Sequence, residues 1–425
     1  MASTAVVLLA VTSVLMSRVQ EQVHIIGDVA APQAATASDL HFSLSDMDAE
    51  VTRMVLVGDA DALAGSQIDA LGTYRKSSKQ VDTDLHHLLT TATSETDRAT
   101  ALEVLHHLAI YHQRVWQTLT AQSQAPPQQP GKLPPDALGY YTQATNVLHL
   151  DLLPAAKRLR NASEIRLFQA YDDKRATEVW GVGLVLGLGA GLVALLILLQ
   201  WWLARRFHRM LNPPLLAATL VAVGVVLSAV TVLIVQEQRL DVARDDGLLP
   251  YLTLSQARAI SYDAAADTSR YLISADLPYY KQDFIRKSEC LVKGGSCGTE
   301  DTIHGGLAAL VGGGHVNEDQ AQRVLDRWLA YERAHNRIVG LADSGKTTEA
   351  VDSLTGIRRG DANFDFFYFD AAVGDVATAR KHAFDASLHD AERLLRGWVV
   401  IPLLAMVLVL LLVPLGVRRR LAEYR

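Results

Sequence analysis

Trp180 to Leu203 reads WGVGLVLGLGAGLVALLILLQWWL, and Leu215 to Val235 reads LLAATLVAVGVVLSAVTVLIV. Neither stretch contains Asp, Glu, Lys or Arg, and each reaches the roughly 20 residues that a helix needs to cross a bilayer. Both are expected to be transmembrane helices. The short segment between them, Ala204 to Pro214, carries Arg205, Arg206, His208 and Arg209 against the end of the first span. Short basic loops stay in the cytoplasm, so this turn is expected inside the cell.

Two further apolar runs lie at the ends. Trp398 to Val417 is followed by Arg418, Arg419, Arg420 and Arg425, which places the tail, residues 418–425, inside as well. Ala2 to Met16 is shorter than a full span, and no basic residue precedes it. A cleaved signal peptide would need a basic leading region, which is also missing. This run leaves through Val19, Gln20, Glu21 and Gln22, just as the span ending at Val235 leaves through Val235, Gln236, Glu237 and Gln238. On that repeated exit, residues 2–16 read as a first transmembrane helix, with the true start expected upstream of Met1.

The expected protein is all-α and integral to the plasma membrane, with four transmembrane helices and both termini cytoplasmic. Residues 17–179 and 236–397 form two large extracellular loops. The inside holds only residues 204–214 and 418–425, too little for a folded domain, so any output must come from another cytosolic protein. The formal net charge of -6 conceals a division between arginines at the inner face and carboxylates in the loops. Mildly acidic loops argue against nucleic acid as a partner. Cys290 and Cys297 lie in one outer loop, where oxidising conditions favour a disulfide. Lys293, Gly294 and Gly295 allow the chain between them to turn, and no second Cys pair or histidine ligand motif suggests a metal instead.

Both loops read as helix bundles. In the first, Leu44, Met47, Val51, Met54 and Val55 recur at helical steps, and Gly58 with Asp59 closes that helix. A second helix is expected over Gln67 to Thr91. A third, capped by Ser94 with Asp97, carries Leu102, Leu105, Leu108, Tyr111 and Val115. After a Pro- and Gln-rich linker from Ala125 to Pro135, a fourth starts near Asp136 and runs on into the span at Trp180. The second loop repeats the plan. Asp263, Asp267 and Arg270 keep the spacing of Asp46, Glu50 and Arg53, with Ala266 matching Ala49. His335, Asn336, Arg337 and Ile338 echo His112, Gln113, Arg114 and Val115, and Asp370 stands before Trp398 much as Asp151 stands before Trp180. A tandem duplication accounts for this order: two helix-bundle modules, each on two membrane helices.

The repeated acid, acid, arginine pattern is the chief candidate site. Asp46, Glu50 and Arg53 share one helix face, as do Asp263, Asp267 and Arg270, and each is either a solvated ion-paired stripe or a docking or ligand face. An arginine there could hold a carboxylate ligand bidentately. In the second span Gly183, Gly187 and Gly191 recur at every fourth residue and open a groove for a neighbouring helix. That groove serves packing within one subunit or a homodimer.

Other patterns carry less. Gly340, Gly345, Lys346 and Thr347 match the letters of a phosphate-binding loop, but a helical stretch precedes them where that loop needs a strand, so a turn is expected. The adjacent pairs His86 with His87 and His106 with His107 point about 100° apart on a helix and lack metal-ligand spacing; a cross-helix site from His87 and His107 is the remaining option. The spans carry no charge for ion coupling, which argues against a transporter. No catalytic fingerprint is present, so no enzyme activity and no cofactor are expected.

Two outer bundles whose helices pass into membrane spans resemble the sensing part of bacterial chemoreceptors and sensor kinases, and Gly345 to Gly356 is similar to their short inter-helix connection. Ser43 to Ala49 and Asp151 to Ala156 resemble segments of the actinobacterial GlnX family of membrane proteins. That resemblance implies a non-enzymatic transducer passing amino-acid status from an extracellular solute-binding lipoprotein to a cytosolic Ser/Thr kinase. A direct small-molecule sensor and a scaffold of the cell envelope are the alternatives.

Overall fold

The computed structural model describes residues 2–58, 60–126, 128–207, 213–274, 276–297, 302–303, 306–307, 309 and 318–395, with 398, 400–401, 404–405, 407–408 and 411–412 beyond them. His208, Arg209, the tail 418–425 and much of the expected fourth span lie outside the described residues, as does the side chain of Arg206. The protein is all-α. Helix α1 (Ala2–His24) passes through a π-helical turn (Ile25–Ala30) into α2 (Ala31–Val57). Then come α3 (Ala64–Thr91), α4 (Glu95–Gln124) and α5 (Pro135–Val147), which continues through a second π turn (Leu148–Leu152) into α6 (Leu153–Phe207). Helix α7 (Pro213–Val242) passes through a third π turn (Ala243–Leu248) into α8 (Leu249–Ile273). The chain goes on with α9 (Pro278–Lys293), α10 (Glu318–Asp343), α11 (Thr347–Thr355) and α12 (Ala362–Leu395).

Each π turn is followed, two residues past its end, by a proline: Pro32, Pro154 and Pro250. Proline has no N–H to give the preceding turn, and its ring crowds the carbonyl four residues back. A locally widened turn relieves that conflict without breaking the helix. Elsewhere the ends follow local chemistry. The Asp97 N–H donates to Ser94 Oγ at 3.1 Å to cap α4, and Gly58 closes α2 at φ 57°, a left-handed conformation that suits glycine. Two departures from the helical expectation are small. Gly295–Ser296 and Thr302–Ile303 pair as antiparallel strands β1 and β2, and Thr347–Thr355, expected as connection, forms α11.

The chain divides into two compact units. The first comprises Met1–Ala31, Arg166–Arg244 and Phe384–Arg425. Among the described residues two helical stretches are long and apolar enough to cross a membrane, and their apolar parts lie in α6 and α7. They pack through Leu192, Leu196, Ala218 and Ala222, with Leu412 against them. Side chains such as Leu184, Ile197, Leu198, Leu220 and Leu227 point away from the protein, and Trp180 and the Trp201–Trp202 pair mark the two ends of the α6 stretch. Apolar flanks with Trp at their ends are what a bilayer accommodates.

The second unit comprises Pro32–Ile165 and Asp245–Ala383, so two separate segments of the chain share one core. Helices α2 and α8 lie at its centre. Leu40, Leu44, Met47, Val51, Met54 and Val55 are each at most 3% exposed, which places the expected apolar face of α2 inside. The polar side of α2 is buried as well, through Ser45, Asp46, Asp48 and Thr52, because α8 together with α3, α4 and α5 covers it. Tyr251 donates to Asp39 at 2.6 Å, the Phe42 and Tyr262 rings meet edge to face at 5.4 Å, and Arg270 reaches Asp48. The partners ascend together in both segments, so α2 and α8 run parallel.

Around this pair the other helices find matched positions. Asp46 accepts from Ser77 of α3 at 2.6 Å, while Asp263 pairs with Lys287 of α9 at 2.5 Å. Three residues earlier on those helices, the Tyr74 ring meets His112 of α4 at 6.1 Å and the Phe284 ring stacks on His335 of α10 at 3.4 Å. Burial lowers the pKa of both histidines, His335 to about 3.

Candidate ligand cavity

A cavity of about 570 Å³ opens within the second unit, among α2, α5, α6, α8 and α9. Its walls carry His41 and Ser45, Thr145 and Asn146, His149 and Lys157, and the apolar side chains of Leu150, Leu153 and Ile260. Asp263, Asp267 and Arg270 of α8 meet Asp283, Arg286 and Lys287 of α9 on the opposite side, with Tyr279 and Tyr280 beside them. This volume lies in the range of small-molecule sites, and a few convergent polar groups among apolar walls are their usual equipment.

The charged wall is one connected network, in which the Nε of Arg270 is buried without a hydrogen-bond partner. Nη1 of Arg270 donates to Asp263 at 2.9 Å and to Asp267 at 2.6 Å, and its Nη2 is paired with Asp48. The Lys287 ammonium meets Asp263, Asp267 and Asp283 at 2.5, 2.6 and 2.8 Å. Asp283 and Lys287 stand four apart on α9, one turn from each other, and Arg286 pairs with the other oxygen of Asp283. Burial opposes the charge on Asp263, yet Lys287 and Arg270 hold its carboxyl well below the usual range. For Asp267 burial wins and the pKa rises to about 7. Burial, reinforced by the Arg270 guanidinium, lowers His149 to about 4, so its ring is neutral at neutral pH.

One member of the repeated motif thus lines the cavity. Its counterpart does not. Glu50 and Arg53 pair with each other at 2.8 Å, and Arg53 also donates to Asp69 at 2.7 Å and to Asn363 of α12 at 3.0 Å. The space beside them amounts to about 60 Å³ and is bordered by Tyr262, Tyr331 and Phe366. In the aligned windows Tyr262 precedes Asp263 just as Ser45 precedes Asp46. A tyrosine fills one groove, and a serine in the same register leaves the other open.

Neither face is a solvated stripe, since Asp46, Asp267 and Arg270 are buried and Glu50, Arg53 and Asp263 nearly so. Cys290 and Cys297 form the expected disulfide, which holds Cys297 against the cavity wall. Gly183, Gly187 and Gly191 have open space where a side chain would stand; the close approaches are at Gly181, against Leu15, and at Gly189, against Val226. Arg205 stacks over Trp201. Gly345 turns at φ 76° between α10 and α11, and Lys346 faces Glu349 at 3.4 Å. His87 lies 3.4 Å from Thr36, and among the described residues no group of three or more His, Cys, Asp or Glu is placed to hold a metal ion. Sequence reasoning missed Lys287, Asp283, His149 and Asp48; the spacing of Asp283 and Lys287 and the contrast of Ser45 with Tyr262 were the available signals.

Residues 22–172 match the family model described as the actinobacterial sensor domain, a stretch that includes the α2, α5 and α6 walls of the cavity. No curated protein and no solved structure matches the chain. The match supports an actinobacterial sensor protein, and with it a sensing or signalling role.

Proposed function

We propose that this protein is a non-enzymatic sensor spanning the plasma membrane four times, with its second unit outside the cell and the 570 Å³ cavity as its sensing site. The observation that carries this reading is the contrast between two related grooves, one filled by Tyr262 and the other left open at Ser45. The paired contacts of Asp46 with Ser77 and Asp263 with Lys287 support a tandem duplication behind that contrast. Signal passes along α6, one helix from Leu153 on the cavity wall to Arg205 and Phe207. A solute that favours one arrangement of Leu153, Pro154 and Lys157 favours the matching setting of the helix, and so shifts the population between two states. The basic turn at Arg205, Arg206 and Arg209 presents that state to a cytosolic partner, such as a Ser/Thr kinase.

A second reading, relay from a solute-binding lipoprotein, is favoured by Leu102, Leu105 and Trp116, which stand exposed along α4 inside the matched sensor domain. Apolar side chains of that size in one row suit a protein partner.

Both readings are tested by capturing the full chain from its native membrane, as wild type and as Ser45→Tyr, and identifying what is retained. A sensor recovers a cytosolic signalling protein in an amount that the substitution changes, and the relay adds a solute-binding lipoprotein. Recovery of envelope proteins alone, unaltered by Ser45→Tyr, would establish a scaffold instead.

A further inference from the structure

The two related acid pairs differ in the cations that meet them. In the second, Asp263 and Asp267 face both Arg270 and Lys287, in contacts of 2.5 to 2.9 Å. In the first, the residue in the register of Lys287 is Ser77, which gives Asp46 a hydrogen bond at 2.6 Å and no charge. Arg53 pairs with Glu50 at 2.8 Å but also holds Asp69 at 2.7 Å. One guanidinium thus serves two carboxylates, and among the described residues no cation pairs with Asp46.

The carboxylate oxygens carry the consequence. Oδ1 of Asp46 is buried without a hydrogen-bond partner, and so is Oε2 of Glu50, whose contact with Arg53 falls outside hydrogen-bond geometry. An ionised oxygen cut off from water and from donors is costly, and a proton relieves that cost. The neighbouring helices do not supply the missing charge. On α8, Tyr262 is a neutral ring against Phe366, and Arg258 is held by Asp370 of α12 at 2.9 and 3.0 Å. Asn363 of α12 is neutral and accepts from Arg53, and the Tyr331 hydroxyl of α10 is paired with Thr268 at 3.1 Å. Lys76 of α3 is exposed to solvent, where its field is screened. Two acids one helical turn apart also oppose each other's ionisation. Burial above all raises both carboxyls, Asp46 to about 6 and Glu50 to about 8.

We infer that Asp46 and Glu50 form a proton-binding site: the pair carries one proton at neutral pH, and its release on alkalinisation leaves two buried charges beside Arg53 and loosens α2 from α3 and α8. The site does not depend on the cavity being the place where a solute is sensed. In the second module the Lys287 ammonium stands where a proton is needed in the first.

Infrared spectroscopy of the full chain in detergent reads the proton directly, through the carbonyl stretch of a protonated carboxyl group. The spectrum of wild type minus that of Glu50→Gln should show this band at about pH 7 and lose it by about pH 10. Ser77→Lys, which sets an ammonium where Lys287 stands in the related module, should move the loss of the band about 1–3 pH units lower, each protein being compared with its own Glu50→Gln. Circular dichroism verifies that the variants are folded. Hydrogen exchange, corrected for the intrinsic effect of pH, reads the coupling: amides of α2 and α3 should exchange faster at about pH 9 than at about pH 7 in wild type, and equally at both in Glu50→Gln. Absence of the difference band at every pH would overturn the site, since Glu50 would then be ionised throughout. A band that Ser77→Lys leaves unmoved would overturn the missing cation as its cause, and a band that titrates with no change in exchange would overturn the loosening of α2.

Discussion

Arg270 of α8 and Asp48 of α2 meet in the interior of the second unit with 1% and 3% of their side chains exposed. The pair joins the two central helices, and Asp48 is held from the other side by the Tyr111 hydroxyl at 2.8 Å. A buried charge left without its partner typically costs about 3–5 kcal/mol. Arg270→Met is therefore expected to destabilise the full chain by about that much. Lys293→Ala, whose 71% exposed ammonium lies 3.5 Å from Glu289, should change stability by less than about 1 kcal/mol. Denaturant titration in detergent compares the two, and equal small effects would show that the network does not hold α2 to α8.

Burial raises Glu50 from 4.5 to about 8, more than the neighbouring Arg53 lowers it. The folded protein then keeps a proton that the unfolded chain gives up, so this carboxyl stabilises fully below about pH 4.5 and the contribution is lost as pH rises through 8. Burial acts in the same direction on Asp46 and Asp84, raised to about 6 and 7. Glu50→Gln, which cannot ionise, should gain stability relative to wild type as pH goes from 5 to 8.5. Melting curves across that range check it; parallel curves for the two proteins would mean that Glu50 ionises normally.

The Cys290–Cys297 bridge closes a short loop between the end of α9 and β1. Closing a loop of that length stabilises by about 2 kcal/mol in the chain-entropy treatment. Reduction, or Cys290→Ser with Cys297→Ser, is expected to lower the melting temperature modestly and to weaken any ligand of the cavity, since Cys297 is part of its wall. Titrating reduced and oxidised protein with the same probe gives the comparison, and equal affinities would separate the bridge from the site.

The glycines of α6 differ in what surrounds them. A methyl group at Gly189 would come within 2.6 Å of Val226, whereas Gly187 has open space. Gly189→Ala should destabilise the α6–α7 contact, and Gly187→Ala should leave the stability of the single chain unchanged. If the Gly183, Gly187 and Gly191 face receives a second copy of the protein, Gly187→Ile lowers the mass measured by light scattering from dimer to monomer. An unchanged mass would remove homodimerisation as a role for that face.

Much of this was legible along the chain. Leu44, Met47, Val51, Met54 and Val55 announce the buried face of α2 because side chains three and four apart on a helix share a side. The apolar stretches in α6 and α7, the Ser94 cap and the turn at Gly58 rest equally on local rules. The pattern of Asp46, Glu50 and Arg53 was legible as well, but its surroundings were not. Periodicity tells which residues share a face and not what covers it, so a stripe that reads as solvated turns out to lie beneath a second helix. Only tertiary packing decided the rest: α2 against α8 brings Asp48 to Arg270 and sets Ser45 beside a space of the kind that Tyr262 closes on the other side, and α9 against α8 gathers three carboxylates on Lys287. The contact of Asp48 with Arg270 joins residues 222 positions apart, and it exists because two separate segments of the chain bury their polar faces in one core.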